Sequence, residues 1–260
     1  VTLAGKGFSA KAQVTFGGKD VLSVNVLSPF VIKVQTKAHP AGPAQIRITN
    51  PDGQDFVSKQ PFLFVLPPQV DKVFPLQGTD KGGTPVVLWG KDFLPGAKVF
   101  FGNKAATDVH VVSPTAMTVR TPAGTADAHA KVRVDNPDGQ SALSAQLFKW
   151  VDDSKIGPKP ELLKLLPATG PTSGGTWGLL DGKNLQKDAW LILGVVPAAT
   201  TDVKDPAVAR FVTAPSPVTA TVDAIVVQPD GGFGLLKDAF KYTDPSTLSP
   251  APKIVGVDPD

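Results

Sequence analysis

The sequence VRVDNPDGQSALSAQLFKW, at residues 132–150, contains the pattern that decides the fold. Apolar and polar residues alternate on both sides of a central Pro-Asp-Gly, which is typical of two antiparallel strands joined by a tight turn. Pro137 fixes φ for the first corner of a type I turn, Asp138 suits the second corner, and Gly139 accepts the positive φ that follows. We therefore predict a β-hairpin closed by a three-residue turn.

The pentapeptide NPDGQ of this hairpin also occurs at Asn50–Gln54, and a near copy, QPDGG, occurs at Gln228–Gly232. Aspartates and glycines at short spacing also build calcium loops, which need several oxygen ligands converging on one point. Only the second copy has another carboxylate directly before the motif, Asp135, where the other copies have Thr49 and Val227. The interpretation we favour is a structural turn, with no metal bound.

Two other motifs fall into register with the pentapeptide. Gly-Lys-x-Phe or Gly-Lys-x-Leu is found at residues 5–8, 90–93 and 182–185. Aromatic-x-aromatic is found at residues 62–64, 148–150 and 240–242. The copies lie 85 or 86 residues apart and then 92 residues apart, which is the length of a whole domain and too long for a solenoid repeat.

The repeated unit predicts an all-β fold of tandem immunoglobulin-like β-sandwiches of the E-set type, about 90 residues each, because each copy has about six or seven alternating strands. Short, Pro-rich linkers favour semi-rigid spacing between the copies. The chain begins inside a strand pattern, so we expect it to be an internal fragment of a longer protein. The predicted units are a domain without its first strand at 1–66, a complete domain at 67–153, a divergent domain at 157–245 and the first strand of a fourth copy at 250–260.

The second copy resembles the IPT/TIG domain. The motifs that carry the resemblance are Gly82–Thr84, Val86–Phe93, Gly96–Asn103, Thr121–Ala123 and Asn136–Gly139. It extends over essentially the whole chain and is weakest in the third copy, where Leu replaces the Phe of the Gly-Lys motif. The resemblance implies the sandwich fold and no particular activity. Tandem arrays of this family resemble the stalks of surface proteins and receptors, which implies a cell-surface or secreted location.

The composition excludes several classes of function. The chain has no cysteine, so disulfides, thiol catalysis and thiolate metal sites are ruled out. Its formal charge of +3 comes from 26 basic and 23 acidic residues, and only four of the basic residues are Arg. Arg is the residue suited to bidentate contacts with phosphate and guanine. Specific nucleic-acid binding, as in Rel-type transcription factors, is therefore the reading that we favour least.

No set of reactive residues points to catalysis. The three histidines, His39, His110 and His129, occupy unrelated positions of the repeat and have no metal-ligand spacing. The glycines at residues 82–83 and 174–175 resemble a phosphate loop, but no Lys-Ser or Lys-Thr pair follows them. We predict that the chain is not an enzyme, and that it has no catalytic residues, no cofactor and no metal site.

The strand that precedes a glycine in each copy, at residues 12–18, 97–103 and 189–195, indicates which side chains face the core. In all three copies, one set of alternate residues in this strand, which shares one face, is apolar. We predict that its members lie in the cores: Val14 and Phe16, Val99 and Phe101, Leu191 and Leu193.

The opposite phase carries apolar residues where other copies have polar ones, and these predict a contact surface. Its members are Trp190, Ile192, Trp89 and Phe100. Such residues can pack on a neighbouring domain, bind a partner protein, stack on a sugar, or be isolated surface aromatics covered by lysine stems. We expect a neighbouring domain to be too distant, because Trp190 lies in mid-strand, away from the linkers.

The sequence thus favours a non-catalytic array of a cell-surface or secreted protein, acting as spacer, scaffold or adhesion module. Its partners would be other protein domains or surface partners, with no membrane insertion in this fragment. The alternative is a carbohydrate-binding accessory region of a polysaccharide-active enzyme or of a surface glycan-binding protein. The two differ in whether the outward aromatics contact protein or sugar.

Overall fold

The chain is almost entirely β-structure in a computed structural model that describes residues 1–247. The predicted all-β class is confirmed: besides strands, the described residues contain only two short 3-10 helices, Asp153–Lys155 and Pro245–Thr247. The chain divides into two compact units, Val1–Pro67 and a second unit from Pro68 onward. The first strand of a fourth copy, predicted at 250–260, lies outside the described residues.

The first unit contains one domain made of three small sheets with orders β1-β5-β4, β3-β2-β7-β8 and β6-β9. Its core is built from side chains that alternate inward along these strands, including Phe16, Ile32 and Val34. The strands are β1 (Thr2–Ala4), β2 (Gln13–Phe16), β3 (Lys19–Asp20), β4 (Ser23–Ser28), β5 (Val31–Gln35), β6 (Gly42–Ala44), β7 (Ile46–Thr49), β8 (Asp55–Val57) and β9 (Phe62–Phe64).

The second domain is a sandwich of a four-stranded and a five-stranded sheet, with orders β10-β12-β16-β15 and β11-β18-β17-β13-β14. All pairings are antiparallel except that of β11 with β18, which is parallel. The strands are β10 (Gln69–Phe74), β11 (Gln77–Thr79), β12 (Pro85–Lys91), β13 (Lys98–Phe101), β14 (Lys104–Ala105), β15 (Thr107–Ser113), β16 (Ala116–Arg120), β17 (His129–Asp135) and β18 (Ser141–Val151).

The third domain repeats this topology strand for strand, with orders β19-β21-β25-β24 and β20-β27-β26-β22-β23. The parallel pair recurs as β20 with β27. Its sequence differs most from the other copies, yet the same strand order forms. The strands are β19 (Glu161–Leu166), β20 (Thr169–Pro171), β21 (Trp177–Lys183), β22 (Trp190–Leu193), β23 (Val196–Pro197), β24 (Thr200–Asp205), β25 (Val208–Val212), β26 (Thr221–Val227) and β27 (Phe233–Thr243).

The predicted core phase is confirmed in all three domains. Phe101 is 1% exposed whereas Lys98, on the same strand, is exposed. All six residues of the predicted phase are buried: Val14, Phe16, Val99, Phe101, Leu191 and Leu193.

Each Pro-Asp-Gly forms the predicted turn. The glycines have φ values of 83° at Gly53, 86° at Gly139 and 94° at Gly231. In the second domain, the N–H of Gly139 donates to the carbonyl of Asn136 at 3.0 Å, and a carboxylate oxygen of Asp138 accepts from the N–H of Gln140 at 3.0 Å. The carboxylate thus completes the turn, and residues 1–247 contain no cluster of His, Asp and Glu that could hold a metal ion.

The asparagine before the turn fastens it to the loop after the Gly-Lys motif. Asn136 accepts from the N–H of Leu94 at 3.2 Å and donates to the carbonyl of Asp92 at 2.8 Å. Asn50 makes the same pair of bonds in the first domain, with Ser9 and Gly7. The repeated pentapeptide is therefore a part of the scaffold that each domain needs.

Candidate functional site

The second and third domains share a hydrophobic core of their own. It lies between the outer face of the sheet β10-β12-β16-β15 and the outer face of the sheet that contains β22 and β26. Both sheets therefore bury their two faces, one within their own sandwich and one against the neighbouring domain. The buried members are Val87, Ala116, Ile192, Val195, Ile225 and Val227, with Phe74, Trp89, Val112, Val196 and Leu235 packed around them.

Two tryptophans contribute directional contacts to this interface. The indole N–H of Trp89 donates to the carbonyl of Val195 at 3.0 Å, across the domain boundary. The ring of Trp190 meets the ring of Phe74 edge to face, with centroids 5.4 Å apart. Lys72 places its ammonium 5.3 Å from the centre of the Trp89 ring, a cation–π geometry. Trp190 remains 52% exposed, so it lies at the rim of the interface.

The turn of the third domain is also used at the boundary. Gln77 of the second domain donates from its side-chain amide to the carbonyl of Pro229. Gly231 is buried, and a Cβ built on it would lie 3.6 Å from the Cα of Gly78. The equivalent glycines, Gly53 and Gly139, are exposed. One pentapeptide therefore serves as a plain turn in two domains and as a domain contact in the third.

The linker between the two domains is held at both ends. At its start, Asp153 accepts from the hydroxyl of Thr79 at 2.7 Å, and its own N–H donates to Asp80 at 3.1 Å. Further along, the N–H of Gly157 donates to the carboxylate of Asp230 at 3.0 Å. The path of the linker is thus determined by hydrogen bonds to both sandwiches.

These contacts lower the pKa of the Asp230 carboxyl. Burial raises the pKa of its carboxyl, but hydrogen bonds from Gln186 and from the N–H groups of Gly232 and Gly157 more than offset burial, so the pKa lies below its ordinary value. The carboxylate therefore stays charged at neutral pH and keeps accepting the linker hydrogen bond.

A cleft of about 500 Å³ opens beside the interface, between the two domains. Arg120 approaches Asp108 to 3.6 Å on one wall, and Lys237 pairs with Asp223 at 2.7 Å on the other. His110 also lines the cleft, whose lining includes no Phe, Tyr or Trp. It has room for a small ligand, but its cations already face carboxylates, and it offers no aromatic platform for a sugar ring.

The structure brings three of the four predicted contact residues together. Ile192 is fully buried and Trp89 partly buried inside the interface, with Trp190 at the rim. Phe100 lies elsewhere, on the outer face of the five-stranded sheet of the second domain, with the guanidinium of Arg133 4.5 Å from its ring centre. The expectation that a neighbouring domain is too distant for Trp190 was wrong, because the two sandwiches pack sheet against sheet.

The histidines are not assembled into a site. His39 stacks on Phe64 at 4.3 Å in the first domain. His110 and His129 are exposed and lie on different sheets of the second domain. Among residues 1–247, the structure has no helix with the length and apolar character to cross a membrane.

The model of the IPT/TIG domain matches residues 1–65 and 68–149. The chain belongs to the IPT/TIG domain family. The match takes in the first two domains, and the third IPT/TIG-like domain is related to them through its identical strand order.

The relatives of this IPT/TIG chain are distant. Plexin-2 of Caenorhabditis elegans is 24% identical over 191 residues, which are 70% of this chain and 10% of that protein. The chain thus spans about a tenth of the length of this curated relative. Among solved structures, the full extracellular region of plexin A4 is 16% identical, with 93% of this chain and 32% of that chain covered and a TM-score of 0.31. SGBP-B from a xyloglucan utilization locus in Bacteroides uniformis is 19% identical, with 67% and 49% covered and a TM-score of 0.29.

Sequence reasoning missed the partners of Trp89 and Ile192 in the IPT/TIG interface. A signal was present in β26, where residues 224–227 read Ala-Ile-Val-Val without alternation. A continuous apolar run indicates a strand that is buried on both faces. Residues 85–89, Pro-Val-Val-Leu-Trp, give the same signal on the opposing sheet, and the two runs meet in the structure.

Proposed function

We propose that this IPT/TIG chain is a non-catalytic scaffold segment of a cell-surface or secreted protein, and that it holds its second and third domains in one fixed orientation. The observation that carries the proposal is the apolar core between these domains, with Ile192 at its centre. Motion between domains is the usual expectation unless their interface is large and hydrophobic. Here an apolar interface and an anchored linker act together, which supports a stiff spacer.

Stiffness can be measured directly because the chain has no cysteine of its own. Cysteines placed at the exposed positions Lys131 and Lys187 allow nitroxide labelling of the second and third domains. Double electron–electron resonance then reports the distribution of distances between them. We expect one narrow distribution for the unaltered chain, and a broad one for Ile192→Lys, since a buried ammonium would open the interface.

Phe100 provides a matched control, because it occupies the position in the second domain that Ile192 occupies in the third. It lies outside the interface, so Phe100→Lys should leave the distribution narrow. A broad distribution in the unaltered chain would contradict the scaffold proposal. So would an equal effect of the two substitutions.

Carbohydrate binding is the second candidate, and Phe100 is the observation that favours it. In the register of the sheet, Phe100 lies opposite Arg133, which lies opposite Leu143. Leu143 is 58% exposed, so this row combines an open apolar side chain with an aromatic ring whose face the Arg133 guanidinium approaches to 4.5 Å. Sugar rings bind such faces by stacking on aromatic side chains. Affinity electrophoresis against a panel of polysaccharides, with Phe100→Ala as the control, tests this candidate.

A further inference from the structure

We propose that the outer face of the third domain's four-stranded sheet docks the next IPT/TIG-like repeat, whose first strand we predict at residues 250–260. This docking face is formed by Leu166, Trp177, Leu179 and Val212. The inference rests on the proposed scaffold role and extends it from the junction of the second and third domains to the junction that follows.

The docking face consists of four neighbouring apolar side chains, with the exposed Arg210 directly opposite Leu179 on the same face. Trp177 is 58% exposed and Leu166 50% exposed, and both point away from the core of the third domain. Leu166 lies opposite Leu179, and Trp177 lies opposite Val212, on three neighbouring strands of one sheet. Contiguous exposed apolar surfaces on soluble proteins mark interaction sites.

The second domain uses the same positions to bind the third. Leu166 and Leu179 lie 92 residues after Phe74 and Val87, on the equivalent strands β19 and β21. Val87 is 1% exposed because the third domain covers it, and Phe74 packs around the same core. The third domain therefore presents Leu166 and Leu179 at two positions that its predecessor uses in its interface.

The first domain shows that the fold alone does not require an apolar outer face. Its equivalent sheet, β1-β5-β4, presents the exposed polar residues Thr2, Asn25 and Lys33 on that face, beside Ala4 and its partner Val31. Thr2 lies 85 residues before Val87 and Ala4 lies 85 residues before Trp89. The second domain has apolar residues at both positions, whereas the third has Leu179 in place of Val87 and Asp181, paired with Lys164 at 3.4 Å, in place of Trp89.

The chain leaves the third domain through the same turn by which it leaves the second. Asp152 accepts hydrogen bonds from the N–H and the hydroxyl of Ser154 at 3.0 and 2.7 Å. Asp244 accepts the same two bonds from Ser246 at 2.9 and 2.8 Å. Both turns begin the short 3-10 helices that follow the last strand of each domain. The two exits are therefore equal up to residue 247, the last residue that the structure describes.

The sequence after this turn has the signature of a first strand. Pro160, Leu162 and Leu165 begin the third domain, and both leucines are buried in its core. Pro252, Ile254 and Val257 have the same spacing, 92 residues further on. The linker from Asp244 to Pro252 therefore has the same length as the linker from Asp152 to Pro160. A repeat that starts there would have the linker length with which the third domain reaches the second.

The test uses the natural chain continued through the repeat that begins at residue 252. One pair of nitroxides spans the second and third domains, and another spans the third domain and the following repeat. We expect narrow distance distributions for both pairs, with Trp177→Lys broadening only the latter. Leu143→Lys is the matched control, since Leu143 is equally exposed, at 58%, on a sheet face outside either junction. It should change neither distribution.

The docking proposal is overturned if Trp177→Lys leaves the second distribution unchanged, or if quenchers reach Trp177 equally well with and without the following repeat. It is also overturned if residues 1–260 alone self-associate through Trp177, because a second copy would then be the occupant. A broad distribution between the second and third domains of the unaltered chain counts against the scaffold role itself. The two failures are therefore distinguishable.

Discussion

The indole N–H of Trp89 points across a domain boundary at the carbonyl of Val195, 3.0 Å away. Val195 follows the strand that carries Ile192, and both are buried. A backbone carbonyl in such a place needs a donor, because an unpaired polar group away from water costs about 1–3 kcal/mol. The hydrogen bond from Trp89 therefore helps to hold the second and third domains in one relative orientation.

Replacing Trp89 by Phe keeps an aromatic ring in the interface and removes the N–H together with part of the indole ring system. We expect a loss of about 1 kcal/mol in the free energy of unfolding, since Val195 keeps its position but loses its partner. Thermal unfolding followed by calorimetry measures this. Trp177→Phe is the control, because Trp177 is 58% exposed and its substitution should be nearly neutral. Equal destabilisation by the two variants would show that the hydrogen bond contributes nothing.

The alternation of β13 predicts opposite outcomes for neighbouring positions. Phe101→Ala should cost about 3–5 kcal/mol, because the ring is 1% exposed and packs edge to face on Phe148. Lys98→Ala should change stability by less than about 0.5 kcal/mol, since Lys98 is exposed. Urea denaturation measures both. Comparable losses from the two variants would contradict the orientation of this strand.

A methyl group added to the glycine of a Pro-Asp-Gly turn should lower the stability of the protein, whereas calcium should leave the stability unchanged. Gly139→Ala places a Cβ at φ 86° in open space, so it should cost about 1 kcal/mol for the backbone conformation alone. Calcium should leave the melting temperature unchanged, because the Asp138 carboxylate is occupied by the turn. A calcium-dependent rise that disappears in Asp138→Ala would disprove the purely structural role.

Tyr242 should make the third domain sensitive to alkali. Burial raises the pKa of Tyr242 to about 12, against 10.0 for a free tyrosine. Tyr242 ionises at lower pH in the unfolded chain than in the folded one. Its contribution to the free energy of unfolding is therefore complete below pH 10 and is lost as the pH rises through about 12. The loss amounts to roughly 2 kcal/mol.

The chain has a single tyrosine, so the phenolate absorbance of the folded protein reports this residue alone. Tyr242→Phe should remove the corresponding part of the alkaline loss of stability. A titration midpoint near the value of a free tyrosine in the folded chain would refute the prediction.

The fold could be predicted from the sequence, because each domain repeats motifs whose residues have specific conformational preferences. The Gly139 turn and the inward phase of Phe101 follow from φ preferences and alternation, and both hold in the structure. The third domain could be placed by the same landmarks although the family model matches only residues up to 149.

The partner of the outward residues could not be obtained in this way. The alternation of apolar and polar residues predicts on which face of the sheet Ile192 lies, but it does not predict what covers that face. The answer depends on the path of the linker, which is decided by contacts such as Asp153 with Thr79, far from Ile192 in sequence. Phe100 illustrates the same limit, because it occupies the equivalent position and lies outside the interface.

The parallel pairing of β11 with β18 has a mechanical consequence. Its strands are joined by hydrogen bonds such as those from Lys149 to the carbonyl of Leu76 and from Asp80 to the carbonyl of Val151, both 2.8 Å long. One strand lies near the start of the domain and the other at its end, so a pull on the two termini slides the strands along each other. The bonds are then loaded in shear and must rupture together, whereas a hairpin pulled at its open end unzips one bond at a time. The third domain has the same parallel pairing between β20 and β27, so its bonds would be loaded in the same way.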